Sequence, residues 1–314
     1  MQIPTSTFWL FFVSYSTQLI ANISAVTWGE AVSIRNKSDL VNNFIVNGVR
    51  SPPRNFFVKV RLLGSGGLFC GGSIIANNWI LTAAHCIHNY YVNELLVEVR
   101  EFDNIQSGRE SHYVVSKYIH RNFQLSSEPN YNFALLKLRS PIANSFSRPI
   151  PICDEELPEG TPLATCGLGS TSTQKNLTIS NVLMETYLFE TKRIAGMPVG
   201  MDWCAADKIC TQPMFEGSNI CAMDDGGPLY KLACETRVPE CLYGVVSHSR
   251  SKYVQGQEFQ RCNGGSFFAN VPRVIRWIVA VIGSSETRGA SPANYEPIRV
   301  LEVPRPSWGW PNRN

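Results

Sequence analysis

Short apolar or alternating runs recur between Ile45 and Gly283, each bounded by Gly, Pro, Asn or Ser. They are FFVKVRLL from Phe56, SIIANNWILTA from Ser73, LLVEVREF from Leu95, HYVVSKYI from His112, FALLKL from Phe133, SNVLMETYLF from Ser180, LYGVVS from Leu242 and SFFANV from Ser266. Alternation over a few residues marks a strand with one buried face, and many such strands at short intervals predict an all-β sandwich or barrel. One segment breaks the rhythm. Between Val271 and Ile282, residues Val274, Ile275, Ile278, Val281 and Ile282 recur at the spacing of one helical face, which predicts a single C-terminal helix. Residues 284–314 carry Pro292, Pro297, Pro304, Pro306 and Pro311 without sustained periodicity. Such a segment buries too little surface to offset its ordering entropy, so a disordered Pro-rich tail is expected, with Trp308 and Trp310 in an unstructured end.

The 314 residues are 44% hydrophobic and 17% charged, a globular composition able to bury a substantial core. A formal net charge of +3 provides no excess of Lys and Arg for phosphate backbones or anionic lipid, which excludes nucleic acid as an expected partner. The longest apolar runs, Phe8 to Val13 and Val274 to Ile282, fall short of the roughly 18 to 20 residues that cross a bilayer, so no membrane span is expected. Residues 1–25 join the apolar block FWLFFV to small residues at Ala21, Ser24 and Ala25, the arrangement of a secretory signal peptide; residues 26–44 follow as a short pro-like segment. Ten cysteines without a CxxC pair read as a disulfide framework in an oxidising, extracellular compartment. Asn36 in NKS and Asn176 in NLT are glycosylation sequons on that route. His85 and His88 flank Cys86 with no second ligand pair nearby and are read as structural rather than zinc-binding; no metal and no cofactor are expected.

Three segments taken in order, CGGSIIANNWILTAAHC (Cys70 to Cys86), YNFALLKL (from Tyr131) and NICAMDDGGPLY (from Asn219), resemble the trypsin-like, chymotrypsin-fold serine proteases. GVVSHS, SFFANV and the RWI of the predicted helix extend the likeness to the end of a domain spanning 45–283, about three quarters of the chain. The resemblance implies two six-stranded antiparallel β-barrels and a C-terminal helix. It also assigns roles. His85 matches the general base, Asn132 stands where the family places the carboxylate that orients it, and Asp225, directly before GGP, stands at the nucleophile.

That chemistry needs a hydroxyl nucleophile, a histidine to take its proton, a carboxylate to fix the imidazole tautomer and N–H donors for the developing oxyanion. Only the histidine matches. An amide in place of the orienting carboxylate costs a triad protease about 10⁴ in turnover, and loss of the nucleophile costs about 2 × 10⁶. Met223 replaces the glycine whose N–H serves the oxyanion. The expectation is a pseudoprotease whose site is closed by a His85 imidazolium paired with Asp225, which would place the His85 pKa above its ordinary 6.5. Retained hydrolysis by another nucleophile, as a weak or altered-mechanism serine-type endopeptidase, is the alternative.

Further positions follow from the same resemblance. The activation segment is Ile45-Val46-Asn47-Gly48 preceded by Phe44, so a trypsin-like activator finds no basic residue there. Asp224, which would receive a new amino terminus, is expected to be satisfied by side chains or left zymogen-like. Asn219 occupies the pocket position where trypsin-like enzymes carry aspartate, with Ser247 on a wall and Ser266 facing it, and the stretch from Ser249 to Cys262 is long enough to cover the cleft. The family pattern pairs Cys70 with Cys86, Cys221 with Cys262 and Cys204 with Cys210. Cys166 and Cys234 each lie about three positions beyond the sites of an inter-strand bridge; a matched displacement would pair them and leave Cys153 for Cys241, while Cys153–Cys166 with Cys234–Cys241 is the rival solution. Asp103, Asn104 and Glu110 lie in a loop where some relatives hold calcium. The expected role is that of an extracellular binding or regulatory partner of active proteases, inhibitors or other protease homologues.

Overall fold

A computed structural model describes residues 45–100, 109–143, 145–170, 179–193, 203–215, 217–232, 239–250, 262, 264–286 and 300–301. The signal peptide, the pro-like segment with Phe44 and Asn36, the calcium-loop residues Asp103 and Asn104, Asn176, Cys234 and most of the stretch before Cys262 lie outside the described residues.

A two-residue strand β1 (Val49–Arg50) precedes six strands that close into a barrel. These are β2 (Phe57–Leu62), β3 (Phe69–Ala76), β4 (Trp79–Thr82), β5 (Leu95–Val99), β6 (Glu110–Ile119) and β7 (Ala134–Leu138), in the order β2-β3-β4-β7-β6-β5. Val58, Val60, Ile74, Ile80, Val97 and Leu136 share the face that fills its interior, all essentially inaccessible. The short helix α1 (Ala84–Ile87) follows β4 and carries His85.

The second sheet contains β8 (Ile152–Cys153), β9 (Pro162–Gly167), β10 (Met184–Thr191), β11 (Lys208–Pro213), β12 (Pro228–Leu232), β13 (Pro239–Ser249) and β14 (Ser266–Asn270). Its path β12-β9-β10-β11-β14-β13 is closed by the additional β12–β13 pairing, making a second six-stranded barrel around Leu163, Leu188, Ile209, Leu229, Val246 and Phe268. Fold class, barrel count and the C-terminal helix are therefore those expected from the sequence.

Three boundaries differ. Val271–Val274 form a 3-10 turn with Pro272 near its start, and the α-helix α2 runs Ile275–Glu286, past the expected limit at Gly283. The ring of Pro272 suits a helix entrance, where its missing N–H leaves no bond unmade. The tail is not wholly unstructured: β15 (Val300–Leu301) runs parallel to Ile152–Cys153 on the free side of β8. Backbone pairing to an open sheet edge needs no side-chain periodicity, which is why the pattern concealed it.

Four bridges join Cys70–Cys86, Cys153–Cys241, Cys204–Cys210 and Cys221–Cys262. Cys166 is a buried free thiol, so the expected Cys166–Cys234 bridge is corrected, and Cys153–Cys241 excludes the rival pairing. The reason is register. Antiparallel β9 and β12 set Thr165 against Leu229 and Ala164 against Tyr230, which puts Cys166 opposite Pro228. An advance of three residues along β9 turns Cys166 to the face opposite that of Leu163. Cys166 instead faces a buried polar cluster in which Arg54 Nε donates to Glu185 at 2.7 Å and Tyr230 Oη donates to it at 2.6 Å; burial pushes the Cys166 thiol pKa up.

Candidate active site

The site forms where β3, α1 and the Cys221–Gly227 turn converge. Gly71 N donates to the Asp225 carbonyl at 2.7 Å, and a Cβ added to Gly71 would lie 2.8 Å from Gly227 Cα. Gly226 turns with φ +81° against the Gly71 carbonyl and the Thr82 hydroxyl. The CGG and DGG sequences thus let two backbones approach more closely than side chains permit, and this contact places Asp225 beside His85.

Asn132 is fully buried and its amide orientation is fixed by three contacts. Its Oδ1 accepts from the His85 backbone N–H at 2.9 Å, so Nδ2 is the group that faces His85 Nδ1 at 2.7 Å and donates to Ser247 Oγ at 2.8 Å. An amide N–H donating to Nδ1 makes that nitrogen the acceptor, and a neutral ring then carries its proton on Nε2. This is the reverse of the tautomer a general base requires at Nε2.

Nε2 lies 3.8 Å from Asp225 Oδ1, outside hydrogen-bond range, with the two side chains 23% and 28% exposed. The expected imidazolium–carboxylate lock is corrected. Burial, with a smaller push from His88, lowers the His85 pKa below 6.5, and a proton on Nδ1 would oppose the Asn132 amide N–H. Burial raises Asp225 from 3.8 to about 7, offset in part by the neighbouring backbone N–H groups of Met223 and of Asp225 itself, which favour the charged form. The Met223 N–H is the donor that the resemblance assigns to the oxyanion. Met223 holds φ +71°, the left-handed conformation its glycine counterpart would adopt without a Cβ penalty.

Asp224 accepts from Gly169 N at 2.8 Å through Oδ1 and from Cys221 N at 2.9 Å through Oδ2. Backbone donors, not side chains, thus satisfy it, and burial pushes its pKa up to about 7. Ile45 is buried, and Val46 pairs with Asn219 through the Asn219 N–H and the Val46 carbonyl at 3.0 Å.

Asn219 uses all its hydrogen-bonding capacity within the fold. Nδ2 donates to the Cys262 and Gly264 carbonyls at 2.8 and 2.7 Å, while Oδ1 accepts from Ile220 N at 3.0 Å and from the Ser266 hydroxyl. Ser247 belongs to the Asn132 cluster as well as to the β13 wall. Glu110 is engaged by His112 Nε2 at 2.8 Å, and among the described residues no group of three or more His, Cys, Asp or Glu could hold a metal ion.

Sequence reasoning missed the contacts between distant segments around this site. Arg250 Nε donates to Glu128 Oε1 at 2.8 Å, Lys208 Nζ donates to the Glu128 carbonyl at 3.2 Å, and Tyr131 N donates to Asp207 Oδ2 at 2.9 Å. These tie the β6–β7 loop of the first barrel to the second. His248, stacked on Phe267 with centroids 4.5 Å apart, has its pKa lowered by burial to about 4. Tyr131, His248 and Phe267 lie in the segments that carry the resemblance, but those segments do not mark their partners.

Comparison with known proteins gives the same placement. The family model described as Trypsin matches residues 45–278. The chain is 29% identical over 242 residues to an ovochymase of Halocynthia roretzi, covering 73% of this chain and 14% of that protein. It is 30% identical over 204 residues to mannan-binding lectin serine protease 1 of Rattus norvegicus, covering 58% of this chain and 28% of that protein. Hypodermin-A of Hypoderma lineatum is 28% identical over 228 residues, 68% of this chain and 88% of its own. The chain therefore spans less than a third of the length of the first two relatives. With two closed barrels, the His85 segment and the turn at Asp225 in one place, the chain belongs to the trypsin family of serine proteases and their homologues.

Proposed function

We propose that this chain is a secreted, disulfide-bonded trypsin-family homologue without proteolytic activity, acting as a binding or regulatory partner in an extracellular protease system. The observation that carries the reading is the occupant of the nucleophile's position. Asp225 offers no hydroxyl, and burial raises its pKa to about 7. Attack by a carboxylate on a peptide carbonyl would give a mixed anhydride of high energy, and a neutral His85 with its proton on Nε2 offers no base to a water. Four bridges, each worth about 2 to 4 kcal/mol, suit an oxidising exterior. The signal peptide and glycans at Asn36 and Asn176 belong to the same reading.

A serine-directed fluorophosphonate and a mixed-peptide hydrolysis assay test it on the secreted protein. Neither labelling nor cleavage above background is expected. Stoichiometric labelling, or hydrolysis that disappears in Asp225→Ala, would overturn the reading.

A further inference from the structure

A cavity of about 410 Å³ opens on the second barrel, between β10, β11, the connection after β8 and the 3-10 turn before α2. His85, Asn132 and Asp225 are absent from its lining. Its walls combine an apolar slot, from Leu157, Ile209, Tyr243 and Pro272, with the acidic residue Glu190 and its neighbour Lys192.

Glu190 has a side chain 3% exposed, and its two oxygens are treated unequally. Oε1 pairs with Lys192 Nζ at 2.5 Å, while Oε2 is buried and has no hydrogen-bond partner. Leaving a buried carboxylate oxygen unmatched is costly, and burial correspondingly raises the Glu190 pKa. Lys192 is 46% exposed and also donates to the Leu157 carbonyl at 3.1 Å, so its ammonium lies across the cavity wall. An ammonium is a point charge that reaches one oxygen; a guanidinium is a planar fork whose two parallel N–H groups match both. The other cations lining the cavity are engaged elsewhere: Arg273 pairs with Glu156 at 2.6 Å, and Lys208 donates to Asn130 Oδ1 at 3.1 Å.

We propose that this cavity receives an arginine side chain of a partner protein, whose guanidinium displaces Lys192 and binds both oxygens of Glu190 while its methylene stem lies along Leu157, Ile209 and Tyr243. Lys192 then acts as an internal stand-in that holds the site closed until a better-matched cation arrives. A partner's arginine is favoured over the free amino acid because Asp154, Glu155 and Glu156 at the same cavity would repel a free α-carboxylate.

Calorimetric titration of the intact protein with N-acetyl-arginine amide tests this. Saturable binding is expected, at least about tenfold weaker for the uncharged N-acetyl-citrulline amide and weaker for N-acetyl-lysine amide. Glu190→Gln should weaken binding about tenfold, and Lys192→Ala should tighten it several-fold, since the exposed competitor is gone. Because Lys192→Ala removes a half-exposed side chain, its gain cannot come from misfolding. Equal binding of the citrulline and arginine amides, or a Lys192→Ala variant that binds no better, would overturn the guanidinium assignment; free L-arginine binding as tightly as the amide would overturn the protein source. The outcome is separate from proteolysis, which the fluorophosphonate experiment reads at another site.

Discussion

At Asn132 one atom exchange reverses the role of a neighbouring ring. The carboxylate expected there would accept from His85 Nδ1–H; the amide donates to Nδ1 and leaves the proton on Nε2, facing Asp225. The identity of Asn132 and Asp225 was legible in the sequence, but the charge state was not, because burial depends on every segment packed around the pair. Asp225 gives a pH dependence with a defined sign. In the fold it holds its proton up to about pH 7, in an unfolded chain only to about 3.8. The folded state binds more protons between those values, so this group's contribution is full below the lower one and declines as pH rises to the upper. Asp225→Asn keeps the size of the side chain and removes the titration. Its stability relative to the parent is therefore expected to grow between pH 4 and pH 8, by on the order of 1 kcal/mol given that the side chain is 28% exposed, as read by urea denaturation at each pH. A constant difference across that range would contradict the assigned pKa.

At the scale of elements, the strands with strong apolar alternation were readable: the runs from Phe56, Ser73, Leu95, His112, Phe133, Ser180, Leu242 and Ser266 all contain observed strands. Those that escaped notice, β1, β8, β9, β11, β12 and β15, are short or carry Pro, Thr and Cys among their apolar residues, and their strand character comes from neighbours that complete the ladder. Cys166 shows the limit most clearly, since a bridge depends on pairing direction and register, which cysteine spacing does not encode. A testable consequence is that Cys166, 1% exposed with its thiol pKa raised, should resist iodoacetamide in the native protein and react fully in denaturant. Mass mapping of the alkylated peptide reads this directly, and rapid native labelling at Cys166 would show that the strand opens.

Across the whole molecule, Asn219 joins parts far apart in sequence: its backbone N–H holds Val46 at the domain's entrance, and its side-chain amide holds the Cys262 and Gly264 carbonyls. The sequence identified Asn219 as a change of selectivity but gave no sign that it had become a structural tie, because its partners belong to other segments. Restoring the family's charge would therefore not restore an arginine or lysine receptor. In Asn219→Asp, two donated bonds become a carboxylate oxygen directed at two carbonyl oxygens, and a loss of about 3 kcal/mol is expected in thermal or urea unfolding, with no gain in affinity for benzamidine. Benzamidine protection of the variant against unfolding would refute that account. Where the resemblance puts the floor of a specificity pocket, Asn219 is a rivet: a tailor cannot refit such a garment by changing one button, because that button holds the seam.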